Sequence, residues 1–155
     1  MAGVLGNNVV VQIAFVVNDV EKTRREFERF LGVPSTEPAL AGECEIIQTQ
    51  YMGKPAPRAN CTMSFIHAGG NVMIELIQPN DEPSTWRDAL NEKGEGFHHI
   101  AFSVPDTDAA LARCADFGMT LPQRGISGAG SGQYASLDAT AQLKSYIELL
   151  ESFSR

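Results

Sequence analysis

Four polar side chains interrupt apolar, strand-like runs in this chain: Gln12 within residues 9–17, Glu75 within 72–78, His99 within 97–104 and Glu148 within 144–150. An amide oxygen, an imidazole nitrogen and two carboxylates form a donor set for one divalent metal ion, with positions left for water or substrate. Two acids placed in an apolar cleft repel each other and resist ionisation unless a cation joins them. A bound divalent ion removes that conflict, and oxygen and nitrogen donors without thiolate suit Ni, Co, Zn, Mn or Mg.

The four residues are related by an internal repeat. Gln12-Ile13-Ala14-Phe15, followed by Asp19, returns as His99-Ile100-Ala101-Phe102, followed by Asp106, at a constant offset (99 − 12 = 87 and 106 − 19 = 87). Each copy leads on to an Ile-Glu-Leu triplet, centred on Glu75 and on Glu148 (148 − 75 = 73), so the second copy is the shorter. Alternation along strands assigns faces. Val9, Val11, Ile13, Phe15 and Val17 make one apolar face of the first strand, and Gln12 points the other way. In the fifth strand His98, Ile100, Phe102 and Val104 are expected under a helix, leaving Phe97, His99, Ala101 and Ser103 opposite. With a helix on the convex side of each module, all four polar residues share the concave side, walled by Val10, Ala14, Met73, Ile77, Phe97, Ala101, Tyr146 and Leu150. Met73, Phe97 and Tyr146 are therefore candidate substrate contacts.

The elements that position these residues repeat as well. A strand at 9–17 precedes Asn18-Asp19 and a helical pattern at 20–31 stopped by Gly32; strands follow at 44–52, 60–67 and 72–78, the last two joined through Gly69-Gly70-Asn71. The second copy places a strand at 97–104, a helix from Pro105-Asp106 to Asp116, and strands at 121–125, 133–137 and 144–150. Between them, Ser84 or Thr85 caps a short linker helix that carries Trp86. The expected fold class is α+β, with two βαβββ modules forming a curved mixed sheet, a half-barrel around a concave metal site. One domain over 1–155 is expected, made of a module at 8–80, a linker at 81–95 and a module at 96–152.

Of the 155 residues, 43% are hydrophobic and 20% charged, which predicts a folded chain. The net charge of −7, without a Lys/Arg cluster, argues against nucleic-acid and anionic-membrane partners. Cys44, Cys61 and Cys114 are widely spaced and read as buried thiols in a reducing compartment. No early apolar stretch is long enough for a signal or spanning segment, so the cytoplasm is expected. Arg124, with Ser127, Ser131 and Gln133 around the Gly-rich stretch 125–132, is a candidate contact for a substrate carboxylate or phosphate, although a flexible hairpin accounts for the glycines equally well. His98 is expected to be packed or hydrogen-bonded in the core.

At these residues the chain resembles the vicinal-oxygen-chelate superfamily of glyoxalases, bleomycin-resistance proteins and dioxygenases, over about 9–151. Asn80-Asp81-Glu82-Pro83-Ser84-Thr85-Trp86 and Gly94-Glu95-Gly96-Phe97-His98-His99-Ile100-Ala101-Phe102 are similar to the linker and fifth strand of methylmalonyl-CoA epimerases. Those epimerases carry His where this chain has Gln12 and place a catalytic Glu on the third strand, where residues 60–66 hold no acid; the Gln/Glu/His/Glu set is like that of eukaryotic glyoxalase I. The resemblance implies a metal-dependent lyase or isomerase that abstracts a proton next to a carbonyl of a small 2-oxo, hydroxy-carbonyl or acyl-thioester substrate, with Glu148 and then Glu75 as the base. The alternatives are an epimerase-like racemase and a metal-free small-molecule binding protein of the antibiotic-resistance type. Extradiol oxygenation needs two His and one carboxylate around iron, and the set holds a single His. A homodimer is expected, both from the resemblance and from the exposed edges of an open sheet.

Overall fold

Val10–Val16 forms the first strand, β1, and Asp19 opens the helix that follows, its carboxylate accepting the Lys22 N–H at 3.0 Å. That helix, α1 (Val20–Leu31), ends at Gly32, whose left-handed backbone (φ 71°) lets its N–H reach the Glu28 carbonyl. The structure, a computed structural model, describes residues 1–153, so the last two residues of the expected domain, 154–155, lie outside the described residues. Along the rest of the first copy come β2 (Ala39–Leu40), α2 (Cys44–Ile47), β3 (Gln50–Tyr51), β4 (Lys54–Pro55), β5 (Cys61–His67) and β6 (Met73–Pro79). The linker helix α3 (Thr85–Lys93) is capped by Ser84, which accepts the Arg87 N–H. The second copy runs β7 (Gly96–Ser103), α4 (Thr107–Asp116), β8 (Thr120–Ser127), β9 (Gly132–Ala139), α5 (Thr140–Leu143) and β10 (Ser145–Ser152). Asp106 caps α4 through the Ala109 N–H, three residues on, as Asp19 caps α1.

All the strands join one curled mixed sheet, a half-barrel in the order β2-β5-β6-β1-β7-β10-β9-β8-β3-β4. The duplication is visible in this order. β1 pairs with β6 in parallel and β7 with β10 in parallel, while β1 and β7 join the two copies as antiparallel neighbours at the centre. On the convex side, α1 covers Val17, Ile66 and Leu76, and α4 covers Val104, Leu137, Ile147 and Leu149. A third cluster, on the concave side, gathers Ala14, Cys61, Ile77, Tyr134 and the α3 residues Trp86 and Leu90. Cys44, Cys61 and Cys114 are free thiols, and the last two are buried. Among the described residues, no helix is long and apolar enough to cross a membrane.

The structure departs from the expected pattern in two ways. Residues 44–52 do not form the outer strand of the first copy. Cys44–Ile47 coils into α2, Gln48 adopts a left-handed backbone, and β3 pairs with β8 of the other copy. A short apolar run reads equally as strand or helix, and only Ile47 of this one is buried. The two-residue β2 takes the outer place beside β5 instead. Strict alternation also fails at two irregularities in the β1–β7 register. One inserts Val11 and turns Val10 toward Ile100 and Phe102 on the convex side; the other inserts His98 and turns Phe97 toward Phe15. Val10 and Phe97 therefore leave the concave wall, and His98 leaves the helix-covered face.

Candidate functional site

Residues directly opposite in neighbouring strands share a face, so the registers place the four polar side chains in two adjacent rows. One row runs Met73, Gln12, Ala101, Glu148; the next runs Glu75, Ala14, His99, Tyr146. Ala14 and Ala101 are fully buried between the polar residues. Their small side chains form a floor over which four longer ones can meet. The repeat thus positions the polar groups and also keeps the positions between them small.

The meeting is direct. His99 Nε2 lies 3.0 Å from Glu148 Oε2 and 3.2 Å from Gln12 Oε1. Gln12 presents its amide to Glu75, where it favours the charged carboxylate. All four residues are buried, His99 completely. Burial pushes the Glu75 carboxyl up to about 8, and the Glu148 charge pushes the same way; His99 and Gln12 offset part of this. For His99, burial alone would remove the proton, but Glu148, assisted by Glu75, holds it there and raises the imidazole above its ordinary value. Beneath the site, burial and the two acids raise the Cys61 thiol well above its usual range, which keeps it protonated and inert.

The donor chemistry fits a divalent ion. With bonds of about 2.1 Å at right angles, neighbouring donors around such an ion sit about 3.0 Å apart, close to the separations from His99 to Glu148 and to Gln12. Glu75 supplies a second acid, whose proton affinity is raised first by burial and then by the Glu148 charge. Among the described residues no three His, Cys, Asp or Glu groups close around one point by themselves. The residues that would hold an ion here are Gln12, His99 and Glu148, whose polar atoms meet at His99 Nε2, together with Glu75.

Gln12, Glu75 and Glu148 open into a cavity of about 160 Å³, walled by Met63, Phe65, Trp86, Tyr134, Ile126 and Leu150. Tyr134 is held in place by Gln123, which donates to its hydroxyl at 2.9 Å and accepts the Thr85 N–H at 2.8 Å. Trp86 is both packed, tilted against Tyr134 at 6.0 Å, and part of the wall. Sequence reasoning passed over Met63, Phe65 and Tyr134. Pairing the two strands across the Gly69-Gly70 turn would have found Phe65, which lies directly opposite Glu75.

The four candidate substrate contacts stand elsewhere. Phe97 is half exposed and meets Phe15 edge-on at 6.3 Å. Tyr146 shares the concave face but stacks on His98, with ring centres 4.8 Å apart. Met73 occupies the row of Gln12 yet lies outside the cavity lining. Arg124 is engaged by Asp108 and by Gln133; the Gln133 amide donates to Glu151 of β10, whose carboxylate also accepts the Thr107 N–H at the start of α4.

The family model described as the Glyoxalase/Bleomycin resistance protein/Dioxygenase superfamily matches residues 11–136. No curated protein sequence matches significantly. Solved structures of the same fold include a variant of Streptomyces coelicolor methylmalonyl-CoA epimerase in complex with 2-nitronate-propionyl-CoA, at 22% identity and a TM-score of 0.67 over 94% of this chain and 97% of that one. A methylmalonyl-CoA epimerase complex with methylmalonyl-CoA and NH4+ aligns at 22% identity and 0.66, over 92% and 93%. The Mycobacterium tuberculosis methylmalonyl-CoA epimerase aligns at 18% and 0.65, over 92% and 87%.

Proposed function

The chain belongs to the glyoxalase/bleomycin resistance protein/dioxygenase superfamily, and from the buried Gln12–Glu75–His99–Glu148 cluster we propose that it is a divalent-metal-dependent lyase or isomerase of the glyoxalase type. Its reaction is proton abstraction next to a carbonyl. The observation that carries this reading is the opening of two buried acids and an amide into one small cavity, with the His99 imidazole in contact with Glu148 and Gln12 behind them. Gln12, Glu75, His99 and Glu148 hold the ion, which when bound supplies Lewis-acid polarisation of a substrate carbonyl oxygen.

The chain's own groups do the rest. Glu148 and Glu75 reach the cavity from opposite sides of β1 and β7, so each can meet a carbon acid held between them. Glu148 is the first choice as base: its buried carboxylate lines the cavity and lies 3.0 Å from His99 Nε2, so one of its oxygens would hold the ion while the other takes the proton. Met63, Phe65, Trp86 and Leu150 exclude water and strengthen each charge interaction in the site. A volume of about 160 Å³ takes a small acyl or 2-oxo group, with any larger carrier outside.

A second reading, epimerisation of a branched acyl thioester, is supported by the fold shared with methylmalonyl-CoA epimerases and by the similar linker and β7. It uses the same proton transfer. The two separate by experiment: metal-loaded protein is supplied with methylmalonyl-CoA or with a hemithioacetal in D2O, and deuterium incorporation and product are followed. Turnover of the hemithioacetal supports the glyoxalase reading, and deuterium entering methylmalonyl-CoA alone supports the epimerase. Glu148→Gln is expected to lower the rate about 10²–10⁴-fold while retaining metal. Failure of both substrates to exchange would count against this chemistry and favour a binding protein.

A further inference from the structure

We propose that His98 is a positioning residue that accepts the Nδ1 proton of His99 and thereby frees His99 Nε2 for a metal ion; this rests on the metal reading of the site. The Nδ1 atoms of the two rings lie 2.8 Å apart, a separation that holds one proton between them. A ring that ligates through Nε2 has its N–H on Nδ1, so His99 donates and His98 accepts. The remaining proton of His98 then sits on Nε2. That atom is buried and has no hydrogen-bond partner among the described residues.

The backbone places His98 for this role. It is the extra residue of the β7 irregularity, the reason that its ring lies beside His99 rather than beneath the convex helices. Tyr146 stacks on it at an interplanar angle of 16° and fixes the ring plane. A regular strand would send adjacent side chains to opposite faces and leave His99 Nδ1 without this partner. The irregularity therefore brings His98 against the candidate metal ligand His99.

Two side chains test the assignment. Asn carries its amide oxygen where His carries Nδ1, whereas Phe keeps the stack on Tyr146 and loses the acceptor. Zn²⁺ affinity, measured by competition with a chromogenic chelator, is expected to fall about 10–100-fold in His98→Phe and to recover most of this in His98→Asn. In 15N-histidine-labelled parent protein loaded with Zn²⁺, ring nitrogen–proton correlations should show His99 protonated at Nδ1 and His98 at Nε2. Equal affinity in parent and His98→Phe, or His98 protonated at Nδ1 in the loaded parent, overturns the assignment while leaving the metal site standing. Absence of Zn²⁺ uptake by the parent overturns both.

Discussion

Glu75 and His99 tie the proposed chemistry to a measurable pH dependence. In the metal-free chain the Glu75 carboxyl holds its proton up to about pH 8, against an ordinary value of 4.5, because it is buried beside Glu148. Between those values the folded state binds more protons than the unfolded one, so stability falls as pH rises. His99 acts in the same direction: its proton affinity is raised in the fold, so its contribution is complete below 6.5 and is lost as pH climbs through the folded value. Urea unfolding in the presence of chelator should give a lower midpoint at pH 8 than at pH 6.5, a window above the range in which the buried, neutral His98 acts in the opposite direction. Saturating divalent ion should flatten or reverse the trend, because the ion binds the deprotonated acids of the folded state. A metal-free midpoint that rises over this range would refute the account of buried, unbalanced acids. The four polar residues themselves were legible in the sequence, because a charged or polar residue within an apolar strand is conspicuous and the repeat supplies each with a counterpart. Phe97 was misplaced because its facing depends on one inserted residue, His98, and alternation counted along a single strand contains no trace of its partner's register.

At the scale of elements, the repeat dictates the order of the central strands. α1 was legible to the residue, since Asp19 and Gly32 supply both caps. The second outer strand was not. Residues 44–47 have a strand's composition, yet Ile46 is exposed, and the segment turns away from its own module to reach β8. Long-range pairing decides such short runs, and composition carries little of it. Gly132 shows the opposite case, a sequence signal with a sharp structural cause. A Cβ there would lie 2.4 Å from the Glu151 carbonyl oxygen, where β9 meets β10. Gly132→Ala is therefore expected to cost about 1–3 kcal/mol, read as a lower denaturation midpoint. An unchanged midpoint would mean that the β9–β10 contact is looser than described. Glycines 128–132 thus serve backbone packing and a tight turn, and Ser127 and Gly128 also reach the rim of the cavity.

Across the whole molecule, duplication explains why four buried polar side chains gather beside one small cavity. Each copy contributes one ligand candidate from its first strand and one from its last, and the parallel pairs β1–β6 and β7–β10 bring them level. The central β1–β7 pairing then joins the halves, so the site exists only when both copies are folded together. The sheet edges are two-residue strands, and Pro55 lies on one of them, which blunts pairing through edges. Leu40 and Met52, near those edges, are exposed apolar side chains. The central claim is that Gln12, Glu75, His99 and Glu148 share one divalent ion. The most direct measurement is elemental analysis of protein reconstituted with a divalent metal and dialysed, for the parent and for His99→Ala. About one ion per chain in the parent and a near-complete loss in His99→Ala is the expected result. Equal metal content in both proteins, or none in the parent, would contradict it.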